Sequence, residues 1–500
     1  MNTSPVPVAA EDRPAEADAA VDAAVAAVAP SIRAPSTLAT RAVLVSFDVL
    51  ACLVAARLAV GVWRVFQPLA NAGHFYHLWP LLVAVPVGFA FLGLYPAAGH
   101  SPVEELRRTS LFLSALFGST VAALFLAGHI ASTSRGFLFI TWGLVVTGVP
   151  LGRALARALF ARRRWWGLSA VVLGAGRTAE LLITHLSSHP GLDLKVLACL
   201  DDDAGKHGLE VAGAPVLGPL ADAPQLRQAL SVEYGIVAMP GVQPERVTEV
   251  VRRYAHVFPH LVVVPNVFGL TSVGVGTRDL GGFVGLYNKQ NLLLGHNRVL
   301  KRAMDLVLLV PALAVGVPVM ALAALATFLA SPGNPFFAQR REGYRGKPIA
   351  VYKLRTMRRD ADAALERYLA SHPQARAEWQ GHFKLARDPR VIPVVGGLLR
   401  RASIDELPQL FNILKGEMSF VGPRPFPYYH LEQFGAEFRE LRRSVLPGLT
   451  GQWQVTSRST ADLEAQVQLD SYYIRNWSLW MDIYLLFATP WAVLRGKGAY

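Results

Sequence analysis

Long apolar segments dominate the first third of this 500-residue chain. As a helix, each is long enough to cross the roughly 30 Å of hydrocarbon in a bilayer. Four such segments in succession favour transmembrane helices over the buried helices of a soluble core, and four crossings return the chain to its starting side. The predicted segments lie near residues 42–66, 78–98, 108–130 and 135–158, in a bundle at 39–160.

Basic residues orient this bundle. Three arginines and two tryptophans occupy positions 162–166, and such a cluster is typical of the cytoplasmic membrane interface. Arg64, Arg153 and Arg157 lie toward segment ends, where long side chains can extend to water. Residues 1–38 are rich in Ala and Pro, with scattered acids and no signal-peptide pattern. We predict a disordered cytoplasmic tail there.

The pattern changes in residues 167–292, where short apolar runs alternate with helical periodicity. Gly174, Gly176 and Ala179 match G-x-G-x-x-G/A after a predicted strand, and three aspartates follow at 201–203. This predicts a Rossmann-like α/β domain. Two interpretations stay open: a working cofactor site, or a structural or regulatory domain with an empty crevice. The region has no Tyr-x-x-x-Lys pair, which a short-chain dehydrogenase or dehydratase needs.

Composition supports a membrane protein with soluble parts. Hydrophobic residues make up 52% of the chain, charged residues 17%, and the mean hydropathy is +0.32. A net charge of +13 fits a basic cytoplasmic membrane face better than nucleic-acid binding, because no nucleic-acid motif accompanies it. Cys52 and Cys199 lie in an apolar segment and a predicted strand, which indicates neither a disulfide framework nor a zinc site.

Candidate chemistry is concentrated in residues 400–425, RRASIDELPQLFNILKGEMSFVGPRP. Asp405 and Glu406 are adjacent, and two carboxylates can divide the work of attacking an electrophile and holding a metal ion. Arginines on both sides suit a phosphate-bearing substrate, because the guanidinium fork matches phosphate oxygens. The pattern therefore indicates phosphate chemistry at a bilayer surface.

The same residues have a structural interpretation. Ser403 and Glu406 fit the S-x-x-E capping box of a helix start, and acids in a first turn complement the helix dipole. On spacing alone, capping is favoured over catalysis. The two interpretations are compatible, since a helix N-terminus also favours bound phosphate.

A further apolar run at 303–330 admits two topologies. It is long enough to span the membrane, but it contains Pro311, Gly316 and Pro318, and proline breaks or kinks a helix. A spanning helix would place all later residues outside the cell. We favour a run that enters and returns, because an arginine-rich phosphate site expects nucleotide and magnesium, which are cytoplasmic.

Together these motifs resemble the bacterial sugar transferases, the monotopic polyprenyl-phosphate phosphoglycosyltransferases. The resemblance is dense over 299–500, through KRAMDL, SPGNPFFAQRREGYRGKP, YKLRTM, DPRVIPVVGGLLRRASIDELPQLFNILKGEMSFVGPRP and LPGLTGQWQV. The earlier residues resemble the long form of the family, with four helices and a Rossmann-like, CoA-binding-like domain. The expected fold class is a membrane protein, α plus α/β: a four-helix transmembrane bundle, a Rossmann-like α/β domain and a catalytic domain with a re-entrant helix.

The resemblance implies a reaction. A UDP-hexose gives its sugar 1-phosphate to undecaprenyl phosphate and releases UMP through a covalent phosphosugar-aspartyl intermediate, the first membrane step of exopolysaccharide, capsule or O-antigen synthesis. Asp405 would be the nucleophile, and Glu406, with Asp405, would bind Mg²⁺. The helix would break at Pro318, although Val317 stands where the family commonly has serine. The phosphate and nucleotide contacts would come from Arg400, Pro423, Arg424, Pro425, Lys353, Arg355 and Arg341.

The expected partners are UDP-hexose, undecaprenyl phosphate and the bacterial inner membrane, with a possible homodimer and no nucleic acid. The ending VLRGKGAY is similar to undecaprenyl-phosphate galactose phosphotransferases, which favours galactose over glucose. Two other functions compete. A membrane-bound NAD-dependent nucleotide-sugar dehydratase or epimerase would leave the last 200 residues unexplained. A scaffold in a polysaccharide assembly complex would have no use for Asp405, Glu406 and Arg424.

Overall fold

Two compact units make up the chain, Met1–Phe268 and Gly269–Tyr500. Most of the tail predicted at 1–38 lies outside the described residues, but Thr37 and Leu38 already belong to the first helix. The computed structural model describes residues 34–67, 79–95, 98–126, 134–264, 275–279, 284–288, 291–372, 388–456 and 463–494.

Apolar helices open the first unit: α1 (Thr37–Phe66), α2 (Trp79–Phe91), α3 (Pro102–Leu126) and α4 (Arg135–Phe160). Three of them, α1, α3 and α4, are long and apolar enough to cross a membrane. The second predicted crossing is confirmed as an apolar helix but not as a span. The 13 residues of α2 cover about 20 Å at 1.5 Å per residue, and residues 68–78 lie outside the described part.

A buried charge network crosses this bundle, and the prediction of side chains that extend to water is wrong for Arg153 and Arg157, whereas Arg64 is exposed. Arg153 of α4 is 1% exposed; its guanidinium donates to Asp48 Oδ2 of α1 at 2.6 Å and to Glu105 Oε1 of α3 at 2.8 Å. Arg157 bonds Glu105 Oε2 at 2.5 Å and Asp193 Oδ2 at 3.0 Å. Because Asp193 lies in the α/β domain, the network joins that domain to the helices.

The α/β prediction for the middle domain is confirmed. Its sheet has the order β3-β4-β2-β1-β5-β6, and all neighbouring strands run parallel except β3 and β4. Every residue of β1 is buried. The elements are β1 (Leu168–Leu173), α5 (Arg177–Ser188), β2 (Leu194–Leu200), β3 (Glu210–Val211), β4 (Ala214–Gly218), α6 (Ala223–Leu230), β5 (Tyr234–Val237), α7 (Pro244–Tyr254) and β6 (His260–Val263).

The glycine turn after β1 is required by close packing. Gly174 has φ +107°, and a Cβ there would lie 2.7 Å from Met239 Cγ and 3.0 Å from the carbonyl oxygen of Ala238. The amide of Ala175 donates to Asp201 Oδ2 at 2.7 Å, and Lys206 Nζ bonds the same oxygen at 3.0 Å. The glycine turn and the acidic group after β2 therefore meet, as the spacing predicts.

The second unit begins with the hairpin β7 (Val275–Asp279) and β8 (Val284–Asn288), and then the long apolar helix α8 (Gly295–Ala330). This helix is continuous through both Pro311 and Pro318. The predicted re-entrant break is not confirmed and stays a prediction. One side of α8 is buried in the unit, at Lys301, Asp305, Leu309, Gly316, Met320, Ala323 and Thr327.

Short elements pack on this buried side of α8. Strands β9 and β10 form an antiparallel hairpin, and β11 and β12 pair in parallel. The remaining elements are β9 (Phe336–Glu342), β10 (Pro348–Leu354), α9 (Ala361–Ser371), α10 (Val395–Arg401), a 3-10 helix (Ile404–Gln409), α11 (Leu410–Lys415), β11 (Ser419–Val421), α12 (Tyr428–Leu431), α13 (Ala436–Arg443), β12 (Gly448–Thr450), α14 (Gln452–Thr456), α15 (Leu463–Asn476) and α16 (Leu479–Leu494).

Candidate active site

The two adjacent carboxylates lie on the 3-10 helix, which packs over the middle of α8. Ile404, Leu399 and Leu354 join Met320 and Ala323 of α8 in one apolar cluster. With Ile404 facing α8, the next two residues turn toward β10 and the turn after β11. The apolar contacts of the 3-10 helix thus place Asp405 and Glu406 beside cations from two other segments.

Glu406 is held by two of these cations. Its Oε1 accepts from Lys353 Nζ at 2.7 Å and from Arg424 Nη2 at 2.8 Å. Burial alone would raise the pKa of the Glu406 carboxyl, but the attraction of Arg424 and Lys353 is larger and lowers the pKa to about 2. Glu406 is therefore ionised at neutral pH.

Asp405 has the opposite shift. Burial raises its pKa, and the neighbouring Glu406 charge adds to that rise, while Lys353, Arg400 and Arg424 oppose it. Its Oδ2 is 4.0 Å from Lys353 Nζ, beyond hydrogen-bond distance. In the described part of the chain, hydrogen bonds thus fix the Glu406 carboxylate but not that of Asp405, which suits an anchor beside a nucleophile.

The capping-box interpretation of these residues is wrong. Ser403 makes no side-chain capping hydrogen bond and has a left-handed backbone, with φ 55°. Glu406 directs its carboxylate to Lys353 and Arg424 and not back to the helix start. The left-handed residue ends α10 and turns the chain into the 3-10 helix, so the S-x-x-E spacing has a different cause.

Three other predicted phosphate contacts occupy different places. Arg400 Nε donates to Thr356 Oγ1 at 2.9 Å, and its charge acts on Asp405. Arg341 lines the same cleft as Lys353, Glu406 and Arg424. Arg355 instead donates to the carbonyl oxygen of Ser331 just after α8; no hydrogen bond of Arg355 to the carboxylate pair is found in the described part.

The Pro423-Arg424-Pro425 turn is fixed through its carbonyl groups. Pro423 O accepts from the amide of Gly448 at 2.9 Å, and Pro425 O accepts from Arg341 Nη1 at 2.6 Å. Two prolines restrict the backbone on either side of Arg424. A Cβ on Gly448 would lie 2.1 Å from the nitrogen of Gly422, so β12 can approach the turn only as glycine.

Sequence reasoning missed Asn412, which positions the strand carrying Lys353. Its carboxamide donates to Ala350 O at 2.7 Å and accepts from the amide of Tyr352 at 3.2 Å. The Asn412 side chain thus makes backbone hydrogen bonds to β10 of the kind that a neighbouring strand would make. The residue is fully buried, and a buried asparagine in the apolar pattern LFNILK is the signal that could have identified it.

The donor set fits a magnesium ion that is shared with a substrate. Magnesium is commonly bound by one or two carboxylates together with substrate phosphates, and Asp405 and Glu406 supply such a pair. Among the described residues, no group of three or more His, Cys, Asp or Glu side chains could hold a metal ion. The two carboxylates therefore suit an ion that is also bound by substrate phosphates.

Comparison with known proteins identifies the class. The bacterial sugar transferase family matches residues 296–496, and a CoA-binding domain family matches residues 90–265. The UDP-galactose-lipid carrier transferase of Erwinia amylovora is 34% identical over 437 residues, covering 84% of this chain and 87% of that protein. The chain therefore belongs to the bacterial sugar transferases, as its motifs indicate, and is a membrane-bound sugar transferase.

Two further relatives are similar to the chain, one over nearly its whole length and one over its C-terminal part. The UDP-glucose:undecaprenyl-phosphate glucose-1-phosphate transferase of Escherichia coli is 30% identical, covering 88% of this chain and 93% of its own length. The exopolysaccharide production protein ExoY of Rhizobium meliloti is 40% identical over 200 residues, which cover 40% of this chain and 88% of ExoY. The undecaprenyl-phosphate sugar-phosphate transferase class is thus supported over nearly the whole chain.

Proposed function

We propose that this protein transfers hexose 1-phosphate from UDP-hexose to undecaprenyl phosphate and releases UMP, with the product entering exopolysaccharide synthesis. The observation that carries the proposal is the charge balance around Asp405 and Glu406. Lys353, Arg424 and Arg400 act on the pair, and Arg341 lines the same cleft. Four cations around two carboxylates leave positive charge for phosphate groups.

The chemistry assigned to Asp405 has two steps. A carboxylate oxygen of Asp405 attacks the β-phosphorus of UDP-hexose; the bond from that phosphorus to the bridging oxygen breaks, and UMP leaves with the electron pair. A phosphate oxygen of the lipid then attacks the phosphorus on Asp405 and frees the carboxylate. Two anionic substrates thereby use one site in turn. When bound, Mg²⁺ held by Glu406 with Asp405 would neutralise the diphosphate charge.

The remaining residues bind and orient. Lys353 and Arg424 hold Glu406 and stay partly exposed, at 19% and 31% of their side chains, so both can also contact a diphosphate. Arg400 stabilises the anionic form of Asp405 through its charge. The prolines of the Pro423-Arg424-Pro425 turn limit the movement of Arg424 and would border the nucleotide.

We propose a shallow membrane position for α8, with the catalytic residues on the cytoplasmic face of the inner membrane. One side of α8 is buried in the second unit at intervals from Lys301 to Thr327, over about 39 Å of helix at 1.5 Å per residue. A perpendicular spanning helix would carry these folded elements into the hydrocarbon. The other side of α8 exposes apolar residues such as Val307, Val310 and Leu329, which suits contact with one leaflet and a re-entrant path at Pro318.

The proposals for the identity of the donor sugar and for the middle domain are less specific. Galactose is our first choice, on the C-terminal resemblance and the name of the Erwinia relative, and glucose is the alternative, on the name of the Escherichia coli relative. We propose that the middle domain is Rossmann-like, because its parallel strand order β4-β2-β1-β5-β6 corresponds to the first five strands of that fold. A homodimer fits this proposal and does not depend on the donor.

The test is UMP release by the detergent-solubilised protein with Mg²⁺ and undecaprenyl phosphate, given UDP-galactose or UDP-glucose separately. We expect lipid-dependent UMP from one donor and its loss in Asp405→Asn. Without the lipid, mass spectrometry of the peptide containing residue 405 should show an added hexose phosphate in the wild type alone. Asp360→Asn is the matched control, because Asp360 is an exposed carboxylate paired with Arg358 and Arg367.

Three outcomes would contradict parts of this proposal. UMP release by Asp405→Asn at the wild-type rate would remove Asp405 from the reaction. Lipid-dependent UMP without any adduct on residue 405 under single-turnover conditions would favour direct transfer between the substrates. No UMP from either donor would reject both named hexoses.

A further inference from the structure

A second arginine fixes the backbone of Arg424. Arg442, on α13, is 8% exposed, and its Nη2 donates to the carbonyl oxygen of Arg424. Its Nη1 donates to Asp470 Oδ2 on α15, which is 4% exposed. The residue that contacts Glu406 through its side chain is therefore held at its own carbonyl by a buried ion pair.

Aromatic rings complete the surroundings of this guanidinium. Its Cζ lies 4.6 Å from the ring centroid of Phe426, two residues after Arg424, and 5.6 Å from that of Phe438 on its own helix. Phe434 lies at 6.0 Å. A planar cation on aromatic faces within about 6 Å is attracted to them. Arg442 thus contacts the turn at two points, a carbonyl group and a ring.

Four successive carbonyl groups of the turn have four different donors. Pro423 O accepts from the amide of Gly448 and Phe426 O from the amide of Glu342, while Arg341 donates to Pro425 O. The carbonyl between the two prolines, that of Arg424, is bound by Arg442, which is itself buried and paired with Asp470. This bond is the one nearest the side chain that contacts Glu406.

We propose that Arg442 and Asp470 are a positioning pair, which orients Arg424 toward Glu406 and toward the donor diphosphate. This rests on the proposed function, in which Arg424 binds phosphate. Asp470 orients the guanidinium, Arg442 fixes the Arg424 carbonyl and the Phe426 ring, and the turn presents the Arg424 side chain. Neither Arg442 nor Asp470 touches the reacting atoms.

The test compares Arg442→Lys and Asp470→Asn with Arg443→Lys. Lysine keeps the charge of Arg442 but cannot bond two acceptors through a planar fork. Arg443 is the matched control, because it neighbours Arg442 on α13 and pairs with Glu342 and Glu440 while 31% exposed. We expect kcat/KM for UDP-hexose to fall about 10- to 100-fold in Arg442→Lys, with a raised KM, because a 1 Å misplacement can have that effect.

Amide hydrogen exchange gives a readout that does not need activity. The amides of Gly448 and Glu342 donate to carbonyls on either side of Arg424. Both amides should therefore exchange faster in the two variants than in the wild type, with the larger increase in Arg442→Lys. A merely destabilised fold would lower the active fraction and kcat without raising KM. If Arg442→Lys does not fold, Asp470→Asn alone decides.

Wild-type values of both kcat/KM and exchange in the two variants would overturn the positioning pair and leave the proposed function intact. Conversely, a wild-type protein without transferase activity would reject the proposed function. In that case, the amide exchange rates of Gly448 and Glu342 in the variants would still show whether Arg442 fixes the backbone of the turn.

Discussion

The bundle and the active site each contain a cluster of carboxylates and cations, but only one of them is closed. In the bundle, Asp48 is fully buried, Glu105 is 6% exposed and Arg153 1%, and protein partners satisfy their charges. In the site, the side chains of Asp405 and Glu406 are 15% and 17% exposed. The closed cluster holds helices together, and the open one keeps charge for a substrate.

The balance of carboxylates and cations also differs between the two clusters. The bundle network has three carboxylates, Asp48, Glu105 and Asp193, around two arginines. The site has an excess of cations around its two carboxylates. Burial with every charged group paired makes a charge cluster structural, whereas partial exposure with an excess of cations suits the binding of anions. The predictions below break or sharpen this contrast.

The largest effect is expected from Arg153→Met. This substitution leaves Asp48 buried without its arginine and Glu105 with Arg157 alone, and breaking a buried pair in this way costs about 3–5 kcal/mol. The free energy of unfolding in detergent should fall by that amount, with a lower yield of folded protein. Arg107→Met is the control, because Arg107 is 48% exposed and pairs with Glu104 on its own helix. Equal stability of the two variants would show that the bundle cluster is not structural.

The second effect is on catalysis and comes from Glu406→Gln. Removing this charge leaves Lys353 and Arg424 without their common anion, and we expect UMP release to fall about 100- to 1000-fold, the range for loss of one electrostatic contact in a site. Stability should change little, because both cations are partly exposed and can be hydrated. Glu432→Gln, at an exposed glutamate, is the control. A large loss of stability with unchanged turnover would make the site cluster structural, like the bundle.

A smaller effect is expected from pH at the positioning pair. Burial raises the pKa of Asp470 from 3.8 to about 6, against the opposing charge of Arg442. As the pH falls through 6, Asp470 becomes neutral and its hold on Arg442 weakens, so kcat/KM should decline. The surrounding titratable groups are Glu342 beside Arg442 and Tyr473 on α15. Asp470→Asn should remove this limb of the pH profile.

As the pH falls, the contribution of Asp470 to stability changes in the opposite direction to its effect on activity. This difference separates the loss of activity from acid unfolding. Because the folded pKa lies above the unfolded value, the folded protein binds more protons between pH 6 and 3.8, so this group adds stability as the pH falls in that window. Activity lost together with stability near pH 6, in wild type and Asp470→Asn alike, would assign the limb to acid unfolding.

How much of this contrast is visible in the sequence depends on the distance between partners along the chain. The motif order predicts Asp405, Glu406, Lys353 and Arg424, but their pairing joins positions 53 residues apart and is set by packing on α8. The Arg153–Asp48 bond joins positions 105 residues apart, and an arginine near the end of an apolar segment has the pattern of a snorkelling one. Because the partners lie far apart along the chain, the sequence does not show which charges are paired.

Local patterns also conceal burial. Arg442 stands in RELRR, which has the pattern of a surface helix, yet the neighbouring Arg443 is the exposed one of the two. Prolines at 311 and 318 predict a break in α8; the helix is continuous there, and the re-entrant path at Pro318 stays a proposal. Strand and helix periodicity in the middle domain, in contrast, depends on near neighbours and predicts the α/β fold.

The smallest effect should come from Arg246→Gln in the middle domain. Arg246 bonds Asp202 at 3.1 Å and Glu249 at 2.7 Å, with its side chain 49% exposed. It forms two ion pairs, as Arg153 does, but exposed pairs contribute only about 0–1 kcal/mol. The free energy of unfolding should therefore change by less than about 1 kcal/mol, with that change reduced further at high salt. A loss comparable with that of Arg153→Met would mean that the number of partners, and not burial, separates the closed cluster from the surface.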